Sequence, residues 1–64
     1  MDLDALIGRK LKIYLGDEFI IEGELKSINW KLEYFVVEND SSQKLSFVFF
    51  SSITLIQTDL AVNE

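Results

Sequence analysis

The sequence predicts a mostly-β domain, in which a short N-terminal helix precedes five antiparallel strands that close into a small, strongly bent barrel. Three observations support this fold class. Short segments of alternating apolar and polar residues run along the chain. Turn-forming residues separate them at Gly16-Asp17 and Asp40–Gln43. A glycine, Gly23, interrupts the longest segment. With 64 residues and no linker or repeat, the chain is expected to be one domain over 1–64.

The first element is a short helix at about 2–8. Asp2 or Asp4 can cap its N-terminus, and Gly8 suits the position just after its last turn. Its apolar stripe, with the spacing i, i+3, i+4, consists of Leu3, Leu6 and Ile7.

Five strands are expected to form the barrel, over about 10–57, before a tail at 58–64 that we expect to fray. The apolar phase of the second strand changes by one residue between Leu25 and Ile28. This change predicts a bend or bulge near Ser27, and the glycine at position 23 predicts a sharp bend there. The predicted strands are Lys10–Leu15, Glu18–Asn29, Leu32–Asn39, Lys44–Phe50 and Ile53–Gln57.

The segment Leu45–Ile56 is apolar on both faces of a strand, which is unusual for a small antiparallel sheet. A domain of this size buries only about 60% of its unfolded surface, and small domains commonly need disulfides, a metal or oligomerisation. The chain has no Cys and no His, which excludes disulfides and Cys/His zinc sites. We therefore expect a homo-oligomer, with an interface formed by Leu45, Phe47, Val48, Phe49, Phe50, Ile53, Leu55 and Ile56.

The charge balance opposes a general nucleic-acid binder. The net charge is −5, from eleven carboxylates and six cations, whereas nucleic-acid-binding surfaces are usually basic. Five of the six cations lie in the first half of the chain, so Arg9, Lys10 and Lys12 could form a local basic patch. Scattered surface cations are the simpler interpretation.

Catalysis has little support in the sequence. There is no Cys or His to act as nucleophile or base, and three glycines form no phosphate-binding loop. We predict no catalytic residues, no metal site, no cofactor and no enzymatic activity. The chain also has no apolar run of membrane-spanning length and no leader pattern, so no membrane partner is expected and the predicted location is cytoplasmic.

The motif G-x-L-x-x-[apolar]-[D/N], after a short first strand, resembles the Sm-like superfamily, which includes the eukaryotic and archaeal Sm and Lsm proteins and bacterial Hfq. Here it is formed by Gly23, Leu25, Ile28 and Asn29. The second family motif, a short apolar strand followed by x-x-[I/V]-x-x-[I/V], is matched by Val48, Ile53 and Ile56. The resemblance spans roughly 6–57. It implies an SH3-like barrel of the Sm-like fold, and a ring in which the fourth strand of one subunit pairs with the fifth of the next.

The resemblance also implies a site for single-stranded RNA. In Sm proteins the loop after the bent strand reads roughly D-x-[H/aromatic]-M-N; the aromatic residue stacks on a uracil and the asparagine reads the base edge. Here Lys31 holds the stacking position beside Trp30, and the anionic Glu33 holds the base-reading position. An Arg-Gly pair of the family is replaced by Phe49-Phe50. The candidate RNA-binding residues by family position are Asn29, Trp30, Lys31, Glu33, Phe49 and Phe50, and their chemistry predicts weak or non-standard binding.

Three functional hypotheses follow. The first is an Sm-like ring that binds single-stranded RNA weakly. The second is an Sm-like ring that serves as a protein-interaction or structural scaffold, its RNA site lost. The third is a monomeric SH3-like barrel that binds peptides, which an exposed aromatic groove would favour. The expected partners are thus other copies of the chain, single-stranded RNA or other proteins.

Overall fold

A computed structural model describes residues 3–58. It is mostly β, as predicted, with five antiparallel strands and two short 3₁₀ helices. No helix in this range is long and apolar enough to cross a membrane. The elements in chain order are a 3₁₀ helix Leu3–Leu6, β1 Lys10–Leu15, β2 Phe19–Asn29, β3 Tyr34–Asn39, β4 Leu45–Phe49, a second 3₁₀ helix Phe50–Ser52, and β5 Leu55–Thr58.

The N-terminal helix is a single 3₁₀ turn, shorter than predicted. The backbone N–H of Arg9 donates to the carbonyl of Leu6, and Gly8 has a φ of +91°, which ends the helix. Leu6 is buried in the core, whereas the predicted stripe residue Ile7 is exposed. The turn is too short to bring three residues onto one face. Asp2 and the predicted tail beyond Thr58 lie outside the described residues.

The sheet has the strand order β4-β3-β2-β1-β5, and every neighbouring pair is antiparallel. β4 and β5 are therefore the two edge strands, at opposite ends of the sheet. Within residues 3–58 no ladder joins them, so the predicted closure into a barrel is not observed in the strand pairing. Among the described residues, the open sheet leaves one edge of each of these strands unpaired.

The irregularity predicted near Ser27 is confirmed. The β2–β3 register shifts between Leu25 and Ser27, which marks a bulge or similar irregularity in β2. This shift lets both Leu25 and Ile28 pack with the core although their separation in sequence is odd. The change of apolar phase between Leu25 and Ile28 in the sequence predicted this irregularity.

Gly23 is held between two strands, with Leu11 of β1 and Asn39 of β3 as its cross-strand partners. A Cβ at this position would lie 2.8 Å from the carbonyl carbon of Glu38 and 3.0 Å from the Cα of Asn39, and nearer still to the Glu38 carbonyl oxygen. The ladder is in register here, and the irregularity comes after Leu25. Glycine is thus required by a close backbone approach between β2 and β3.

Six strand limits differ from the prediction by one or two residues. β3 begins at Tyr34 because Glu33 has a φ of +63°, and the segment before β4 contains Gln43 at +60°. The fourth strand ends one residue early, since Phe50 begins the second 3₁₀ helix. The last strand begins at Leu55, and β2 begins one residue later than expected. The predicted turn at 16–17 is confirmed, with Gly16 at φ +72°.

The core lies on one face of the sheet, covered by the N-terminal helix. Buried residues alternate with less buried ones along β1 and β3, as expected for a sheet with one buried face. The buried residues are Leu6, Leu11, Ile13, Leu25, Phe35, Val37 and Val48. The opposite face of β4 is left open, and Leu45, Phe47 and Phe49 remain 55%, 56% and 51% exposed.

Candidate functional site

Two segments that contain candidate RNA-binding residues lie next to each other in the structure. The loop 30–33 joins β2 to β3, and the second 3₁₀ helix follows β4. The backbone N–H of Phe50 donates to the carbonyl of Glu33 at 2.9 Å, and the rings of Trp30 and Phe50 pack edge to face with centroids 5.6 Å apart. The ring of Phe50 also packs at 5.1 Å on the buried Phe35, so the core supports this corner.

The side chain of Asn29 forms hydrogen bonds within and next to the loop 30–33. Its side-chain carbonyl oxygen accepts from the backbone N–H of Leu32 at 2.8 Å, and its amide donates to the hydroxyl of Tyr34 at 3.3 Å. An asparagine bonded to the backbone three residues ahead stabilises a tight turn. The residue therefore shapes the loop rather than offering a free base-reading edge.

Replacement of Asn29 with alanine is expected to destabilise the domain by about 1 kcal/mol, because both hydrogen bonds are lost. The free energy of unfolding from urea denaturation would measure the change. The matched control is Lys31→Ala in the same loop, whose exposed side chain makes no ion pair within residues 3–58 and should leave stability unchanged. Equal stability of Asn29→Ala and wild type would contradict a structural role.

Trp30 connects the loop to the N-terminal helix. Its indole N–H donates to a carboxylate oxygen of Asp4 at 3.1 Å, while about half of the side chain stays exposed. A base-stacking role competes with this anchoring role. This contact was not predictable from the sequence, since no pattern links residues 26 positions apart.

The charged residues of the loop point to weak anion binding. Lys31 and Glu33 are both exposed, and neither makes an ion pair in the described part of the chain. Their formal charges cancel, and Glu33 offers only acceptors when ionised. The site thus lacks the excess positive charge that phosphate binding requires.

Phe49 is separated from this corner. Its ring packs on Tyr34 with centroids 5.3 Å apart, and Phe47 packs on the same tyrosine at 5.5 Å. The structure therefore groups Trp30, Glu33 and Phe50, whereas Phe49 belongs to the open outer face of β3 and β4.

The cations of the predicted basic patch are largely paired with carboxylates. Lys10 contacts Asp40 at 2.9 Å, and Lys12 contacts Glu22 at 3.6 Å. The hydrogen bond and the negative charge of Asp40 raise the pKa of Lys10. Arg9 makes no ion pair within residues 3–58. The patch therefore has little net positive charge.

The residues of the predicted interface fall into two groups. Val48 is buried in the core of its own chain, and Phe50, Ile53 and Ile56 pack against that core. The others are about half exposed: Leu45, Phe47 and Phe49 of β4, and Leu55 of β5. The exposed members thus belong to the two edge strands of the open sheet.

Comparison with protein-family models, with curated proteins and with solved structures gives no match to this chain. Its function must therefore be inferred from its own residues and geometry.

Proposed function

We propose that the chain is the subunit of a cytoplasmic homo-oligomeric ring of the Sm-like fold, in which β4 of one copy pairs with β5 of the next. The proposal includes weak binding of single-stranded RNA at the loop 30–33, through Trp30, Lys31 and Glu33. Assembly is its primary element, because the strand edges support it most directly.

The supporting observation is a five-stranded sheet with two open, uncharged edges. Leu45–Phe49 and Leu55–Thr58 contain no charged residue and no proline. Soluble proteins usually protect edge strands with charges, proline or a covering element, because free N–H and C=O groups invite pairing with another chain. These edges have no such charge or proline, and half-exposed phenylalanines line β4.

The difference between the two edges supports a ring. A contact that joins β4 to β5 is heterologous, since each surface meets a different one, and such a contact gives a closed ring when the rotation closes. Assembly would also add apolar burial to a chain that has no cysteine for a disulfide.

Native mass spectrometry at micromolar concentration tests the assembly. We expect one dominant species whose mass is a fixed multiple of the 7.4 kDa chain. A folded monomer as the only species would overturn the proposal and leave the monomeric peptide-binding barrel as the better hypothesis.

RNA binding is expected to be weak because the charge of the assembly opposes it. Every added copy contributes a further −5, and Lys10, Lys12 and Lys26 are already paired with carboxylates. Attraction of phosphate over long range is therefore absent. Binding of labelled oligouridine should be detectable only at low salt and should weaken in Lys31→Ala and Trp30→Ala.

Replacement of Glu33 with asparagine is expected to strengthen oligouridine binding about fivefold, roughly 1 kcal/mol, because it removes a charge that repels phosphate. Asparagine also tolerates the left-handed backbone at this position, where φ is +63°. Fluorescence anisotropy at low salt measures the change. The control is Glu18→Asn, which removes the same charge at the distant β1–β2 turn. Tight, salt-resistant binding by the wild type would contradict the predicted weakness.

A scaffold without RNA binding is the second candidate. It is favoured by Asn29, whose side chain is hydrogen-bonded within the loop, and by the paired cations. An assembled ring with no oligouridine binding by either the wild type or Glu33→Asn would select the scaffold.

A further inference from the structure

We infer that the partner of the β4 edge is β5 of a second copy in one antiparallel register, with Val48 opposite Ile56 of the partner subunit. This inference rests on the proposed assembly and specifies its contact. In this register Phe49 lies opposite Leu55, Phe47 opposite Gln57 and Ser46 opposite Thr58 of the partner subunit. All four residues of β5 are then paired.

The faces of the two strands restrict the choice of register. On β4, Ser46 and Val48 share one face, and Val48 is buried in the core. On β5, Ile56 packs against the core and Leu55 faces outward. A sheet that continues from one copy to the next keeps core-facing residues on one side, so Val48 pairs with Ile56 or with Thr58 but not with Leu55.

Side-chain polarity selects among the remaining registers. With Val48 opposite Ile56, an apolar pair occupies the core side, a second apolar pair of Phe49 and Leu55 occupies the outer side, and two hydroxyl side chains meet at Ser46 and Thr58. A shift of two residues in one direction places Ile56 opposite Ser46 and loses both the inner apolar pair and the hydroxyl pair. A shift of two in the other direction places Thr58 opposite Val48 and Gln57 opposite Phe49, which loses both apolar pairs. Cross-strand pairs of matching polarity stabilise sheets.

The cross-strand side-chain pairs also indicate that β4 and β5 of the partner subunit run antiparallel. In a parallel arrangement with Val48 beside Ile56, Gln57 would neighbour Phe49, and Thr58 would extend past the end of β4. Every strand pair in the described range 3–58 is antiparallel, and antiparallel pairs are slightly more stable per residue. The antiparallel register is therefore the better match.

The proposed register also joins two apolar groups on the outer face. Tyr34 and Phe49 are cross-strand partners on β3 and β4, and Ile20, Tyr14 and Leu55 lie in line across β2, β1 and β5. Pairing Phe49 with Leu55 of the partner subunit makes one continuous row over five strands of two copies. The contact thus covers side chains that are 51% and 49% exposed in the single chain.

Cysteine pairs test the register, since the natural sequence has no cysteine. The double variant Phe49→Cys/Leu55→Cys places thiols opposite each other across the proposed contact. Ser46→Cys/Thr58→Cys does so on the other face, and therefore at the other class of hydrogen-bonding position. The matched controls are Phe47→Cys/Leu55→Cys and Ser46→Cys/Ile56→Cys, which correspond to a shift of two residues.

After mild oxidation, we expect at least one proposed pair to give a ladder of covalent multimers on a non-reducing gel, at least tenfold more than either control. A ladder from a control pair with none from the proposed pairs would overturn the register while leaving the assembly intact. Native mass spectrometry of the reduced variants distinguishes a wrong register from a failure to assemble. If the wild type and the reduced variants are monomeric, the proposed assembly fails and the register fails with it.

Discussion

The Gly23→Val variant is expected to lose most of its folding stability. A Cβ at this position would overlap the backbone of β3 at Glu38 and Asn39, and rotation of a side chain cannot relieve a clash with backbone atoms. Over-packing in a filled interior costs about 1–3 kcal/mol, which we expect for alanine here. Valine adds two further methyl groups, and a domain this small has only about 3–5 kcal/mol of stability. Circular dichroism melts of both variants would measure the loss.

The control for this prediction is Glu22→Val on the neighbouring residue of β2. The side chain of Glu22 is exposed, and its contact with Lys12 is a surface ion pair worth about 0–1 kcal/mol. Valine is favoured in strands, so this variant should melt close to wild type. A wild-type melt for Gly23→Val would show that β2 and β3 do not approach as closely as the structure indicates.

The Phe47→Asp variant is expected to fold but not to assemble. Phe47 is 56% exposed in the single chain, so its replacement costs mainly its aromatic contact with Tyr34, about 0.5–1.5 kcal/mol. In the proposed ring, however, the new carboxylate would stand opposite the uncharged side chain of Gln57 of the partner subunit and would lose part of its hydration, with no ion-pair partner on the facing strand β5. Charges on edge strands prevent pairing with a second chain. Native mass spectrometry should therefore show a monomer.

Phe19→Asp is the matched control for assembly. Phe19 is even more exposed, at 71%, but it lies on the inner strand β2. Introducing the same charge there should leave the oligomeric mass unchanged. An intact oligomer in Phe47→Asp, with unchanged stability, would mean that the β4 edge is not the contact and would overturn the proposed pairing.

The strands were predictable because their signals are local. Alternation located β1 to the residue, and the change of apolar phase located the irregularity between Leu25 and Ser27. The need for glycine at position 23 was recognised, but its cause was not, since the approach of Glu38 depends on a strand fifteen residues away.

The candidate corner was only partly predictable. The contact of Trp30 with Asp4 and the packing of Phe50 on Phe35 join distant parts of the chain. Phe50 was expected to extend β4, but the chain turns there into a 3₁₀ helix. A run of apolar residues does not distinguish a strand from a turn that is held by tertiary packing.

The two open edges belong to different strands, and this gives the proposed contact a direction. Each added copy leaves a fresh β4 or β5 exposed, so the chemistry of the edges alone sets no limit on growth. The limit comes from the angle between β4 and β5 within one copy, which depends on how β2 is curved across the register shift at Leu25 and Ser27. In the proposed ring, subunit number would therefore depend on the curvature of β2, and a substitution that straightens this strand would yield larger rings or open filaments without weakening any single contact.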